Sequence, residues 1–207
     1  MRTRQLALTG AAIAVLASLA GGASPALASK ASCSAGSTLA ISNSARVFVV
    51  KRGSARRVYG CSTRTFRRTY LGRAGGEGVD TSVIAVKGRR VAYVRTFCGE
   101  GGCGQSVFVY DLTKREDVSG SEAAPGGGSH EVTDILLSRN GTVAWIVEAI
   151  EPSDLKSRHV SAREPGKGVG KPFVPIATGL DIVSGSLALA GTTLYWTQGT
   201  AKSAPLP

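Results

Sequence analysis

From about residue 37 onward the apolar residues fall in short runs of four to eight, alternating with polar ones and separated by Gly, Ser, Asn and Arg. No stretch there carries the 3.6-residue spacing of an amphipathic helix, so the pattern predicts an all-β chain. Three segments line up: Val83–Val94, Ile135–Ile146 and Leu187–Trp196. Each is an apolar run, a tight polar turn and a second apolar run bearing an aromatic at Tyr93, Trp145 or Trp196. A looser copy runs from Leu39 to Val50. Val47, Val91, Val143 and Leu194 then mark equivalent points, 44, 52 and 51 residues apart. Further strands are expected at Arg57–Cys61, Ser106–Asp111 and Arg158–Ala162, with fourth strands at Arg68–Leu71 and Phe173–Ala177.

The turns favour hairpins. Asn140-Gly141 is the pair that suits a type I′ turn, and Lys87-Gly88 supplies a glycine at the corresponding place. A repeat of 44 to 52 residues built from such hairpins is the period of a propeller blade. The expected fold is thus a β-propeller-like array of about four blade-like antiparallel units, at roughly 37–78, 79–130, 131–180 and 181–207. The last unit has room for only three strands, so something else must close a ring. The segment around Cys33 is expected to add to that last unit, an open sheet or pairing with a partner being the alternatives. Leu137-Ser-Arg-Asn-Gly-Thr-Val-Ala-Trp145 resembles the Ser-x-Asp-Gly-x-x-Ile-Ala-aromatic core of TolB-like propeller repeats. Val107-Phe-Val-Tyr-Asp-Leu112 is similar to the strand that follows it in that family. Asn140 stands where the family has Asp, and the chain is short for the usual blade number. The resemblance implies a propeller-type scaffold used to bind partners. It carries over no catalytic residue.

Residues 1–28 change the chemistry expected of the cysteines. Arg2 and Arg4 precede an apolar run from Leu6 to Ala20, and Ala26-Leu27-Ala28 has the small-x-small form of a leader cleavage site. The run is shorter than the roughly 20 residues that span a bilayer. A secretory signal peptide cleaved after Ala28 is expected, leaving a single domain at 29–207, outside the cell, with no transmembrane segment. In that compartment Cys33, Cys61, Cys98 and Cys103 form an even set for disulfides. Cys98 and Cys103 lie on the two arms of a hairpin whose glycines at 99, 101, 102 and 104 permit a sharp turn, so they are expected to pair, leaving Cys33 with Cys61. Neither spacing suits zinc or a C-x-x-C redox centre.

Charge then points to a partner. From Ser29 to Gly76 there are ten basic residues and no acid, whereas the remainder is nearly neutral. Arg52, Arg56, Arg57, Arg64, Arg67 and Arg68 are the candidate polyanion-binding residues. The partner would be an anionic cell-wall polymer such as teichoic acid, an anionic lipid surface or a protein. Nucleic acid is the weakest partner, because Phe48, Tyr59, Phe66 and Tyr70 are few and strand alternation would send some of them into the core. The excess of Arg over Lys and the abundant Ala and Gly suit a GC-rich genome such as an actinobacterium.

Other strings give less. Gly166–Lys171 resembles a phosphate loop but lacks its first glycine and has Pro172 where Ser or Thr would bind magnesium. Gly75–Asp80 matches part of one calcium β-roll repeat where stacked copies are needed. His130 and His159 fall in or near polar loops, and Ser129-His130-Glu131 cannot be a triad, whose members converge from separate elements. Asp80, Glu131 and Asp134 are the only candidate acid/base carboxylates. With no catalytic, metal or cofactor residue assigned, the expectation is a secreted, non-enzymatic binding or structural module. The alternative is a propeller hydrolase or lyase acting on polysaccharide.

Overall fold

The computed structural model describes residues 33–75, 80–99, 102–124, 129–150, 156–166, 173 and 175–207; the expected signal peptide lies outside them. Fifteen strands are formed among these residues. The first eight are β1 (Ser37–Ile41), β2 (Ala45–Arg52), β3 (Ala55–Ser62), β4 (Arg68–Arg73), β5 (Asp80–Lys87), β6 (Arg90–Gly99), β7 (Gly102–Asp111) and β8 (Glu116–Glu122). They lie side by side in chain order. The one link between β4 and β5 is a single parallel pair, Arg73 with Asp80, so this sheet is two four-stranded antiparallel meanders joined at a corner. A third meander follows: β9 (Ser129–Leu137), β10 (Val143–Ile150), β11 (Lys156–Arg163) and β12 (Pro175–Gly179). The last sheet has three strands, β13 (Ala188–Ala190), β14 (Thr193–Gln198) and β15 (Thr200–Pro205). The chain is therefore all-β.

Consecutive sheets pack face to face. Val47, Val49, Val58 and Leu71 of the first meander meet Val91, Tyr93 and Leu112 of the second. The other face of the second, with Ala92, Val94, Val107 and Val109, meets Val132, Val143, Trp145 and Val147 of the third. Ala144, Ile146 and Val160 meet Leu194 and Trp196 of the last sheet. Alternation along β6 and β10 makes each strand supply two cores, and each large side chain so buried contributes roughly 1.5–3 kcal/mol. Polar bonds tie the same boundaries: the Trp145 indole donates to Ala123 O at 2.8 Å, and the Asp134 carboxylate accepts Leu187 N–H at 2.9 Å.

This packing corrects the repeat alignment by one residue. Val91, Val143 and Leu194, each two before the aromatic, face the preceding sheet. Val47 faces the following sheet instead. The true counterpart of Tyr93, Trp145 and Trp196 is Phe48, which puts Arg46 where the later units have Val, Val and Leu. A slip of one residue exchanges the faces of a strand, and among the described residues the first meander alone has no preceding sheet to fix its phase.

Three other expectations are corrected. Asn140 does not adopt positive φ, so the β9–β10 turn is not type I′; Gly141, at φ 98°, donates to Ser138 O, and the Asn140 carboxamide accepts from Thr142 N–H. Gly88 (φ 57°) does open a two-residue turn of the II′ kind between β5 and β6. His130 lies within strand β9, bonded to Gln105, while His159 lies in β11, where a strand is expected at Arg158–Ala162, beside Thr178. The segment from Cys33 packs on the first meander, not on the last sheet: Cys33 and Ala35 cover Phe48 and Tyr59, and β1 pairs with β2.

Candidate functional site

The face of the first meander that points away from the second is the most distinctive surface of the described residues. Antiparallel register places Phe48, Tyr59 and Tyr70 in one cross-strand row on it. Their rings are 5.9 and 5.7 Å apart. The neighbouring rows carry Arg46 and Arg68 on one side and Arg57 and Arg73 on the other. Some of the four aromatics are expected in the core, and Phe48 and Tyr59 are buried in a small cluster there, although all three of this row share the outward parity. Tyr70 is 52% exposed.

What covers the first two rings is local. The Arg46 guanidinium lies 4.8 Å from the Phe48 ring centre and donates to the carbonyls of Cys33, Ala35 and Gly36, its Nε going to Thr38 Oγ1 at 2.8 Å. Its donors are thus committed to clamping the N-terminal segment onto the sheet. Arg68 sits 4.9 Å over Tyr59. Such cation–π contacts contribute about 0.5–1 kcal/mol at exposed positions. Arg57, Arg68 and Arg73 are exposed and make no ion pair with any described residue. Strands β1–β4 carry no acid, and Asp80, the register partner of Arg73, turns its carboxylate to Gly75 N–H.

The six arginines singled out from sequence do not converge. Arg57 and Arg68 lie on the outward face. Arg52 and Arg56 flank the β2–β3 hairpin tip, with Lys51 opposite Arg56. Arg64 and Arg67 are in the β3–β4 turn at the other end of the meander. Arg73 and Tyr70 belong to the face and were missed, because a sequence shows that a segment is basic but not which side of a strand is uncovered.

The cysteines pair as Cys33–Cys61, with Cα atoms 5.8 Å apart, and Cys98–Cys103, at 4.0 Å. The first borders the aromatic row and, with Arg46 and Phe66, walls a recess of about 380 Å³ at its edge. The second joins directly opposed residues of β6 and β7; the turn residues 100 and 101 lie outside the described ones. Of the three carboxylates considered for acid/base chemistry, two accept from backbone N–H groups and the third stands across from another carboxylate. Asp80 caps Gly75 N–H at 2.7 Å, Asp134 holds Leu187, and Glu131 stands opposite Glu148, which is bound by Arg158 at 2.8 Å. Gly166 is at a turn after β11 while 167–172 fall outside the described residues, as do 76–79 of the glycine-rich stretch. No group of three metal-ligating side chains and no helix long and apolar enough to cross a membrane occurs among the described residues.

Sequence reasoning also missed Asp111. It is fully buried at the end of β7. Its carboxylate accepts from Arg89 Nε at 2.7 Å and from the Thr113 and Lys114 N–H groups at 2.9 and 3.0 Å. Burial would by itself raise its pKa, but the backbone donors and the guanidinium override it and hold the carboxyl below its ordinary value. The signal was available: Asp-Leu-Thr-Lys after an apolar strand is an Asx-type turn.

Compared with known proteins, the chain is similar to the crystal structure of TolB from Acinetobacter baumannii at 14% identity and a TM-score of 0.39. The match covers 73% of this chain and 34% of that one, so the chain spans about a third of that structure's length. No protein-family model matches the chain, and no curated protein does.

Proposed function

We propose that this chain is a secreted, non-enzymatic binding module that holds an anionic envelope polymer against the outward face of its first meander, on a propeller-type array of about four units. The observation that carries the binding reading is that face: Arg57, Arg68 and Arg73 around Tyr70, with no acid among them. Guanidinium groups recognise phosphate and carboxylate by bidentate hydrogen bonds, and closely spaced ones on a rigid sheet match a repeating charge. A phosphate- or carboxylate-rich polymer is favoured over single-stranded nucleic acid, because a base-stacking platform needs successive open rings and only Tyr70 is open. What supports the radial arrangement is that β1 lies against β5 and β5 against β9, as first strands around a common axis would. The leader at 1–28 and the two disulfides support export.

The test is cosedimentation of the chain from Ser29, disulfides intact, with teichoic-acid-bearing cell wall, anionic liposomes and single-stranded DNA over a salt series. Binding to cell wall that weakens steeply with salt, and at least tenfold in Arg57→Ala/Arg68→Ala, is expected. Equal binding by that variant, or none to any target at low salt, would sink the proposal; preference for DNA would replace it with the nucleic-acid reading.

A further inference from the structure

At the end of the first two meanders, away from the β2–β3 tip, four turns converge: 42–44, 63–67, 88–89 and 112–115. They enclose a cleft of about 430 Å³ lined by Asn43, Ser44, Ser62, Thr63, Arg64, Arg89 and Thr113. One bond ties its walls across the two meanders, and two more brace the turns within each. Ser42 Oγ donates to Gly88 O at 2.6 Å, Thr63 N–H to Ser44 O at 3.0 Å, and Leu112 N–H to Arg89 O at 3.0 Å. The cleft is therefore preformed.

Its polar groups are predominantly donors. Arg89 gives only its Nε to the buried Asp111, leaving both Nη groups without a partner among the described residues. Arg64 is exposed and makes no hydrogen bond or ion pair with any described residue. The Asn43 amide oxygen already accepts from Ser44 Oγ at 3.2 Å, so its NH₂ is the end left to donate. No carboxylate lines the cleft. Asp111 beneath it accepts from the turn backbone and from Arg89 Nε and lies 3.8 Å from Arg90 Nε, so it fixes the Arg89 guanidinium by one edge and leaves the Nη edge toward the cleft.

We propose that this cleft is a discrete site for a phosphate ester of a small polyol, the phosphate held between Arg64 and Arg89. Two guanidinium groups and an amide match the tetrahedral spread of phosphate oxygens. The volume exceeds that of bare phosphate, and the Thr113 hydroxyl, with the Ser44 and Thr63 oxygens that donate to Asn43 and keep their lone pairs, is there for the alcohol part. The site is separate from the outward face and stands or falls without it, since neither Arg57 nor Arg68 reaches it.

Isothermal titration calorimetry on the disulfide-intact chain from Ser29 tests it with glycerol 3-phosphate, inorganic phosphate and glycerol. Saturable binding of glycerol 3-phosphate is expected, weaker with phosphate and absent with glycerol. Arg64→Gln, which removes no contact of the fold, should weaken it at least tenfold, and Arg57→Ala/Arg68→Ala should leave it unchanged. Arg89→Lys should also weaken it while the circular dichroism spectrum stays native. Absence of saturable binding, loss in Arg57→Ala/Arg68→Ala, or full retention in Arg64→Gln overturns the site. So does a loss confined to Arg139→Ala, which belongs to the neighbouring recess of Lys87, Arg90 and Arg139.

Discussion

Two equivalent faces of this molecule have opposite surroundings. In the second, third and last sheets, the side that looks back along the chain carries Val91 with Tyr93, Val143 with Trp145 and Leu194 with Trp196, and each set is buried by the sheet before it. On the first meander the same side carries Arg46 with Phe48, and only a nine-residue stretch from Cys33 to Ile41 lies near it. An aromatic is kept at the repeat position in both cases. What changes is its neighbour: an aliphatic side chain where a sheet precedes, a guanidinium where none does among the described residues. End repeats of stacked proteins need such a polar outer surface, because an exposed copy of an interior face would be adhesive.

Substitutions that delete interior packing should have the largest effect. Trp145→Ala is expected to cost about 3–5 kcal/mol in urea unfolding, since it removes a fully buried ring and its hydrogen bond to Ala123. Phe48→Ala should cost visibly less, below about 3 kcal/mol, because its cover is a thin segment that can collapse into the space. Equal costs would mean that the end face is core like the rest. Next come the staples. By loop entropy Cys33→Ser with Cys61→Ser should cost about 3.5 kcal/mol and Cys98→Ser with Cys103→Ser about 2, read from the same unfolding curves. Only the first pair should also raise the exposure of Phe48 and Tyr59 to dye or protease. Smaller again, about 1–3 kcal/mol, is Arg46→Val, which installs the interior residue on the end face and frees the carbonyls of Cys33, Ala35 and Gly36. Concentration-dependent association in sedimentation velocity is the expected signature; a monomer at all concentrations would deny the capping role.

The smallest effect concerns the β5–β6 and β7–β8 turns of the second meander, which Asp111 ties together. The Asp111 pKa is lowered in the fold, so its stabilisation is present above the ordinary carboxylate pKa of about 3.9 and is lost as pH falls through the lower folded value. Asp111→Asn should therefore be less stable than the parent near neutrality, by about 1–2 kcal/mol. The gap should close below about pH 4; a constant gap across the acid range would show that the charge is immaterial.

Much of this was legible in the chain because its strands are short and strongly alternating. The hairpins at Val83–Val94, Ile135–Ile146 and Leu187–Trp196 all form, at β5–β6, β9–β10 and β13–β14. Strand β8 was not legible: its buried residues are Ser119, Gly120 and Ser121, so no apolar alternation marks it. The phase of β2 was not legible either. Ala45-Arg46-Val47-Phe48-Val49 offers an acceptable stripe on both faces, and only the presence or absence of a facing sheet decides between them. For the same reason the basic segment could be found but not divided into the face at Arg57, Arg68 and Arg73, the tip at Arg52 and Arg56, and the turn at Arg64 and Arg67.

The clamp of Cys33–Gly36 onto the first meander also bears on the order in which the chain acquires structure. Every interface joins sheets that are consecutive in sequence, so each new sheet meets one that has already been made. The first meander has no earlier sheet among the described residues. By residue 73 the chain already contains Arg46, both cysteines of the longer loop and all four strands of the first meander, so that unit can shield its own outward rings before any other exists. Growth from the N-terminus then proceeds by one local addition after another, with the outward face of the first meander already shielded when the second arrives to bury its inner one.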